Sequence, residues 1–258
     1  MTGGGDHPAL AGVRVGTVGF PGGRGRVLDT VTAVEIAEGR GLPPRRAAGR
    51  KLRAAVPDEV ELSAALSRHL VEPLPAGTPV PGDPAAYGGL ATTAENLGLF
   101  RRCVDYAAAL RARYLVLPTP ASFTPSPANR ERLGRFLDAA DAEVEPPVPI
   151  VWEPRGPWEH DAAADLAREL GLLLAVDPLR DDPPDARAAY LRLGPFAALG
   201  SQLGVYDLER IAETALSFDE TWCVFETTRA LEDARNLRAV LIELAALLDD
   251  EEPDADEL

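Results

Sequence analysis

The stretch that decides the fold is Val151-Trp152-Glu153-Pro154-Arg155-Gly156-Pro157-Trp158. An apolar run, residues 148–152, leads into it and ends with a carboxylate and a guanidinium two residues apart. If the run is a strand, its period of two points Glu153 and Arg155 to the same side. Charges at the end of a buried strand are costly to desolvate. The stretch therefore predicts a strand that ends at a binding or catalytic rim, and the alternative is a local ion pair that seals the rim of a sheet.

Short β-rich runs alternate with amphipathic helical patterns along most of the chain. The predicted strands are residues 13–18, 30–36, 52–56, 114–118, 149–153, 172–177, 189–193 and 221–226. The predicted helices are residues 58–70, 93–113, 128–142, 159–170, 207–218 and 229–248, with Asp207 as an N-cap. Such alternation is typical of a parallel sheet with right-handed crossovers. Eight strands in 258 residues predict an α/β fold, a (β/α)8 TIM-type barrel in a single domain.

A doubly wound open sheet is the alternative fold. Its dinucleotide fingerprint is broken in Gly16-Thr17-Val18-Gly19, because Val18 stands where the second glycine belongs. We expect the barrel over residues 12–248, a leader over residues 1–11, and an acidic disordered tail over residues 249–258.

The charge of the chain is strongly negative, at −15, and Lys51 is the only lysine among 26 basic residues. Self-repulsion of this size is relieved when salt screens it. The composition therefore predicts halophilic adaptation to a salt-rich cytoplasm, and the alternative is an ordinary acidic protein. Nucleic acid is a disfavoured partner, because gripping its backbone needs a basic stripe.

No run of 18 apolar residues exists, and the N-terminus lacks a basic region followed by an apolar one. We therefore predict no membrane span and no signal peptide, and a cytoplasmic location. Cys103 and Cys223 each lie within an apolar stretch, so we expect them to be buried free thiols.

Polar residues collect at the ends of the predicted strands, where the chemistry of a barrel is found. They are Thr17, Glu35, Glu153 with Arg155, Asp177, Arg192, and Glu226. Like charges packed together repel unless a cation, an arginine or a proton relieves them, so we expect the arginines to pair with the acids.

The predicted site binds a small anionic or polyhydroxylated molecule in the barrel mouth. Arg155 and Arg192 would neutralise its charge, with Thr17 and Trp158 on the wall of the pocket. The expected catalytic residues are the carboxylates: Glu35 or Glu153 would act as general base, and Asp177 would orient an arginine or a metal ion.

Histidine-based zinc chemistry is disfavoured, because His7, His69 and His160 fall in the leader, late in a predicted helix and at the start of another. A divalent cation such as Mg²⁺ held by carboxylates is the cofactor that the sequence leaves open. The glycine-rich loop at residues 19–26 is interpreted as either an anion-binding loop or an ordinary turn.

The chain resembles the YecE-like family of TIM-barrel proteins (domain of unknown function 72) over residues 13–244. The matching pieces are Val15-Gly16-Thr17-Val18-Gly19-Phe20-Pro21, Val34-Glu35-Ile36, Thr119-Pro120-Ala121-Ser122-Phe123-Thr124-Pro125, Trp152 to Trp158, Val176-Asp177-Pro178 and Tyr190-Leu191-Arg192-Leu193-Gly194. The resemblance implies a (β/α) barrel with one pocket at the carboxyl ends of the strands.

Several positions depart from the family pattern. Gly194 stands at a usual histidine, Ala55 at the lysine expected to end the third strand, and Glu226-Thr227 at a usual asparagine pair. Residues 37–40 replace an aromatic segment. The chain is therefore interpreted as a diverged member, and three functions stay open: an enzyme acting on the bound molecule, a non-catalytic binding or scaffold barrel, and a metal-dependent phosphoesterase.

Overall fold

The computed structural model describes residues 7–142, 148–194 and 203–251. Within them lie eight strands: β1 Val13–Val18, β2 Ala33–Ile36, β3 Glu61–Ala65, β4 Leu115–Thr119, β5 Ile150–Pro154, β6 Leu173–Val176, β7 Ala188–Leu193 and β8 Glu220–Phe225. The α-helices of the same residues are α1 Arg24–Leu28, α2 Arg46–Arg53, α3 Ala94–Leu110, α4 Pro127–Asp141, α5 His160–Glu169, α6 Val205–Leu216 and α7 Ala230–Glu251. The strands form a closed barrel in the order β1 to β8, which confirms the predicted TIM-type fold.

The chain divides into two compact units. One combines Met1–Ala33 with Val176–Leu258, and the other is the continuous segment Val34–Ala175.

The core of the 34–175 unit is organised by β4 and β5, which pair in parallel from Leu115↔Ile150 to Thr119↔Pro154. Trp152 is fully buried, and its indole N–H donates to Thr119 Oγ1 at 3.0 Å. Since a buried indole N–H without an acceptor would be destabilising, the threonine at the end of β4 is what allows a tryptophan in β5.

The core of the other unit is organised by β8, which pairs in parallel with both β1 and β7. Tyr190 and Trp222 are cross-strand partners, and their rings stack with centroids 6.0 Å apart. Fully buried aromatic pairs of this kind contribute both apolar area and a preferred ring geometry.

The prediction for the third strand is wrong. Residues 52–56 end α2 and form the turn after it, while β3 lies within residues 58–70, which were predicted to be helical. Leu62 to Ala65 are all buried, so no polar–apolar alternation marks the strand. Leucine and alanine also favour helices. Ala55 therefore does not end the third strand, which ends at Ala65.

Two helix ends also differ from expectation. Gly204, and not Asp207, is the N-cap of α6. The Asp207 carboxylate accepts the Gly204 N–H at 2.8 Å, as an acid at the third helical position does in a capping box. The predicted disordered tail is wrong at its start, because α7 continues to Glu251, and its remainder lies outside the described residues.

Cys103 and Cys223 are buried free thiols, as predicted. Burial raises the pKa of each to about 12, so neither thiol is a nucleophile near neutral pH. Among the helices of the described ranges, none has both the length and the apolar character that crossing a membrane requires.

Candidate functional site

The predicted site residues lie at the carboxyl ends of strands. Within the last two residues of their strands are Thr17, Glu35, Glu153 and Arg192, and directly after a strand come Arg155, Asp177 and Glu226. Because the strands of the barrel are parallel, these ends belong to the face on which barrel chemistry takes place.

The most deeply buried of these groups in the 34–175 unit is the carboxylate of Glu35. Its side chain has no exposed area, and its Oε1 lies 3.2 Å from Nη2 of Arg40, which is 26% exposed. Arg40 ends a short 3-10 turn, Glu38–Arg40, that follows β2. This segment is one of the departures from the family pattern, and no role was predicted for Arg40. In the sequence, this ion pair is indicated by an arginine five residues after an acidic residue at a strand end.

The second strand-end ion pair of this unit joins Glu153 to Arg155. Arg155 Nε is 3.0 Å from Glu153 Oε1, and its Nη2 is 3.3 Å from Oε2, the two-point geometry that a guanidinium and a carboxylate prefer. Glu153 is 12% exposed and Arg155 45% exposed. The Arg155 N–H also donates to Thr119 O at 3.0 Å, which fixes the backbone just beyond the strand.

The Trp158 side chain is held in place by hydrogen-bond and ring contacts with neighbouring residues. Its indole N–H donates to Phe123 O at 2.7 Å, its ring stacks on Phe123 and meets Trp152 edge-on, and the Arg130 guanidinium lies over it at 5.2 Å. Gly156 is needed for this packing, since a Cβ there would lie 2.4 Å from Phe123 O. Trp158 therefore anchors the loop after β5, and its predicted contact with a ligand stays a prediction.

In the other unit the ion pair at the strand ends has the opposite arrangement. Arg192 is the buried partner, at 5% exposure, and Glu226 is 26% exposed, with Nη2 and Oε2 2.8 Å apart. The Glu226 N–H donates to Leu193 O at 2.8 Å, which extends the β7–β8 ladder to the carboxylate. Glu226 was predicted to lie at a strand end, but no role was predicted for it.

The side chains of Thr17 and Asp177 each form a hydrogen bond within a local turn. Thr17 Oγ1 donates to Gly19 O at 2.9 Å, and Asp177 Oδ1 accepts the Leu179 N–H at 3.0 Å. Burial raises the pKa of Asp177, and the Leu179 N–H and the nearby Arg180 charge oppose this only in part. A carboxyl of this kind retains its proton to a higher pH than an exposed aspartate.

The structure joins the predicted residues Glu153 and Arg155, whereas Glu35 and Arg192 pair with Arg40 and Glu226. Glu153, Arg155, Glu35 and Trp158 belong to the 34–175 unit, and Thr17, Asp177 and Arg192 belong to the other. A single pocket formed by all of them stays a prediction.

The position predicted for His69 is wrong. It lies in a 3-10 turn, Arg68–Leu70, that follows β3, and it is buried at 5% exposure. Its Nδ1 is 3.2 Å from Pro73 O, and a carbonyl can only accept, so Nδ1 carries the proton. Among the described residues, no group of three or more histidine, cysteine or acidic side chains is arranged to hold a metal. The divalent cation stays a prediction.

Solved structures with the same fold include two DUF72 family proteins. The one from Enterococcus faecalis has a TM-score of 0.67 at 12% identity, over 89% of this chain and 97% of that protein. The one from Thermotoga maritima has a TM-score of 0.60 at 16% identity, over 92% and 99%. Endonuclease IV from Thermus thermophilus has a TM-score of 0.54 at 18% identity, over 89% and 99%.

No protein-family model and no curated protein matches the sequence. Identities this low show a shared fold. The resemblance to the DUF72, or YecE-like, family is therefore confirmed at the level of the fold.

Proposed function

We propose that the protein binds a small anionic or polyhydroxylated ligand at the carboxyl ends of its barrel strands. One observation carries the proposal: in both strand-end ion pairs of the 34–175 unit, the carboxylate is the buried partner and the arginine the more exposed one. Glu35 and Glu153 are 0% and 12% exposed, against 26% and 45% for Arg40 and Arg155. A molecule that approaches these strand ends meets the guanidinium groups first.

The buried carboxylates prepare the arginines for binding. A free arginine side chain loses much rotational entropy when it binds a ligand. An arginine that a carboxylate already holds has lost this entropy on folding, so binding costs less. The guanidinium fork matches carboxylate and phosphate oxygens, and it can also donate to hydroxyl groups. Glu35 and Glu153 thus act as positioning residues for Arg40 and Arg155.

The pair in the other unit suits a hydroxyl-bearing ligand. There the buried Arg192 holds Glu226, whose carboxylate is the more exposed partner. A carboxylate accepts hydrogen bonds only, so it favours hydroxyl groups and disfavours a second anion. This pair therefore favours a polyhydroxylated ligand, such as a sugar.

The catalytic version of this function keeps Glu35 or Glu153 as general base and Asp177 as the group that orients an arginine or a metal ion. The oxygens of these carboxylates are engaged by guanidinium groups, so turnover would require the ligand to draw the arginine away first. The binding version needs no such step, and for that reason we favour it.

Thermal unfolding with chosen sugars tests the proposal. Gluconate and glucose 6-phosphate should raise the melting temperature of the wild-type protein, and neutral glucose should raise it less. Arg40→Gln and Arg155→Gln should remove most of the added stabilisation. Arg168→Gln is the matched control, because Arg168 pairs with Asp165 on α5, where both side chains are exposed. Equal effects of glucose and its acids, or full stabilisation of both strand-end variants, would contradict the proposal.

A further inference from the structure

A concentrated positive charge lies on and around α2. Residues 40–57 contain six of the 26 basic residues of this acidic chain and no acidic residue. Arg45, Arg46, Arg50 and Lys51 are exposed, and none of them makes an ion pair or hydrogen bond through its side chain to another described residue. Like charges at this spacing destabilise a helix. An anion bound here would relieve that repulsion.

Two of these cations, Arg46 and Arg50, border a groove. A cleft of about 480 Å³ is lined by Arg46, Arg50, Arg53 and Arg111, with Asp58 beside them. A second cleft, of about 390 Å³, shares Arg53, Asp58 and Arg111 with the first. The two clefts are therefore adjacent, and together they are termed the groove. Arginine is the commonest side chain in their combined lining, which also includes Glu61.

The packing of α2 on α3 explains why the arginines border the groove. A Cβ at Gly49 would lie 2.9 Å from Ala109 Cβ and 3.0 Å from Tyr106 O, so the two helices touch at this glycine. Arg46, Arg50 and Arg53 lie on the side of α2 that contains Gly49, because they follow the three- and four-residue spacing of one helical face. The contact thus sets these arginines along the edge of the α2–α3 interface.

Arg111 occupies a position that normally favours glycine. It follows the last residue of α3 in the left-handed conformation, at φ 55° and ψ 43°, where a Cβ is unfavourable. Its side chain is 78% exposed and makes only a long contact, 3.9 Å, with the exposed Asp58. The local fold does not require an arginine here, and its side chain lines both clefts.

Arg53 has a different part in the groove. Its guanidinium donates to Val60 O at 3.0 Å and Val56 O at 2.8 Å, and also to Pro57 O. It therefore fixes the groove wall, and its charge adds to the positive potential. The arginines whose donors face an incoming anion are Arg46, Arg50 and Arg111.

We propose that this groove binds an oligophosphate, either free or as the tail of a nucleotide. Guanidinium groups match phosphate oxygens in two-point geometry. Arg46 and Arg50 are about 6 Å apart along the helix axis, and Arg111 lines the same cleft, so the set of donors suits two or three linked phosphates better than one. A long polyanion is disfavoured, because the rest of a chain with charge −15 repels it. The described lining residues include no aromatic ring to stack on a base, so tripolyphosphate and ATP should bind alike.

Calorimetric titration with tripolyphosphate tests this site. The wild-type protein should bind tripolyphosphate, and the Arg46→Gln/Arg50→Gln double variant should lose one equivalent of that binding or bind it at least about tenfold more weakly. The matched control is Arg45→Gln/Lys51→Gln, which removes the same charge from the same helix region outside the groove and should stay within about twofold of wild type. Both pairs of side chains are exposed, so either double variant should fold, which circular dichroism will verify.

Further titrations distinguish a phosphate-specific groove from general attraction of anions to α2. ATP should bind as tripolyphosphate does, and citrate, a carboxylate anion of similar charge, should bind more weakly. Arg168→Gln, whose exposed ion pair lies outside both sites, should leave tripolyphosphate binding unchanged. The Arg46→Gln/Arg50→Gln variant should keep its stabilisation by gluconate, so failure of the strand-end site and failure of the groove are distinguishable. Equal losses in the two double variants, equal affinity for citrate, or binding of duplex DNA but not of tripolyphosphate would overturn the proposal.

Discussion

Removing the Arg40 side chain should destabilise the fold, because Glu35 would keep a buried carboxylate without its guanidinium. Breaking a buried ion pair by removing one partner costs about 3–5 kcal/mol. Arg40 is 26% exposed, so water can partly replace it, and we expect about 2–3 kcal/mol for Arg40→Gln. That is a large share of the roughly 5–15 kcal/mol by which most domains are stable.

Urea unfolding followed by circular dichroism measures this cost. The added substitution Glu35→Gln should recover at least about 1 kcal/mol in the Arg40→Gln background, since the buried charge is then gone. Arg168→Gln breaks an ion pair whose two side chains are 72% and 67% exposed, and it should change the free energy of unfolding by less than about 0.5 kcal/mol. An Arg40→Gln cost no larger than that of this control, or simple additivity of the Glu35 and Arg40 substitutions, would refute the assignment of a buried, coupled pair.

Charge and burial lead to three more predictions. Arg155→Gln should lower the free energy of unfolding by only about 1 kcal/mol, because Arg155 is 45% exposed; a urea melt that shows a loss as large as that of Arg40→Gln would contradict this. The melting temperature should rise when NaCl goes from about 0.1 M to above 1 M, because the Debye length falls from about 10 to about 3 Å; a flat curve would remove the argument for a salt-rich cytoplasm. Burial raises the pKa of Asp177 above its ordinary 3.8, so the folded state holds this proton more tightly than the unfolded chain, and ionisation at higher pH destabilises the fold. Asp177→Asn should therefore raise the free energy of unfolding at pH 7 by an increment that shrinks towards pH 3.8, and an increment that grows on acidification would be inconsistent with this.

The barrel was predictable from sequence because most of its strands carry β-branched or aromatic residues between clear helical patterns. β5 and β8, with Trp152 and Trp222, are examples. β3 was not predictable in this way, because Glu-Leu-Ser-Ala-Ala is composed of helix-favouring and neutral residues and is buried on both faces. Only its place in the closed barrel makes it a strand, and a local pattern does not contain that information.

The candidate site was predictable to a similar extent. A charged residue at the end of an apolar run identifies Glu35, Glu153 and Arg192 by position alone. Their partners depend on how the following segment folds back. Arg155 is predictable because it lies two residues after Glu153, and a strand points residues two apart to the same side. Arg40 reaches Glu35 only through a 3-10 turn, and the composition of the segment does not predict that turn.

The proposed anion-binding site at the strand ends is tested most directly by crystals grown or soaked with selenate, whose anomalous scattering locates the ion. We expect an ordered selenate within hydrogen-bond distance of Arg40 or Arg155 in the wild-type crystal, and its loss in the crystal of the corresponding glutamine variant. Selenate bound elsewhere on the protein, with neither arginine occupied, would contradict this central claim.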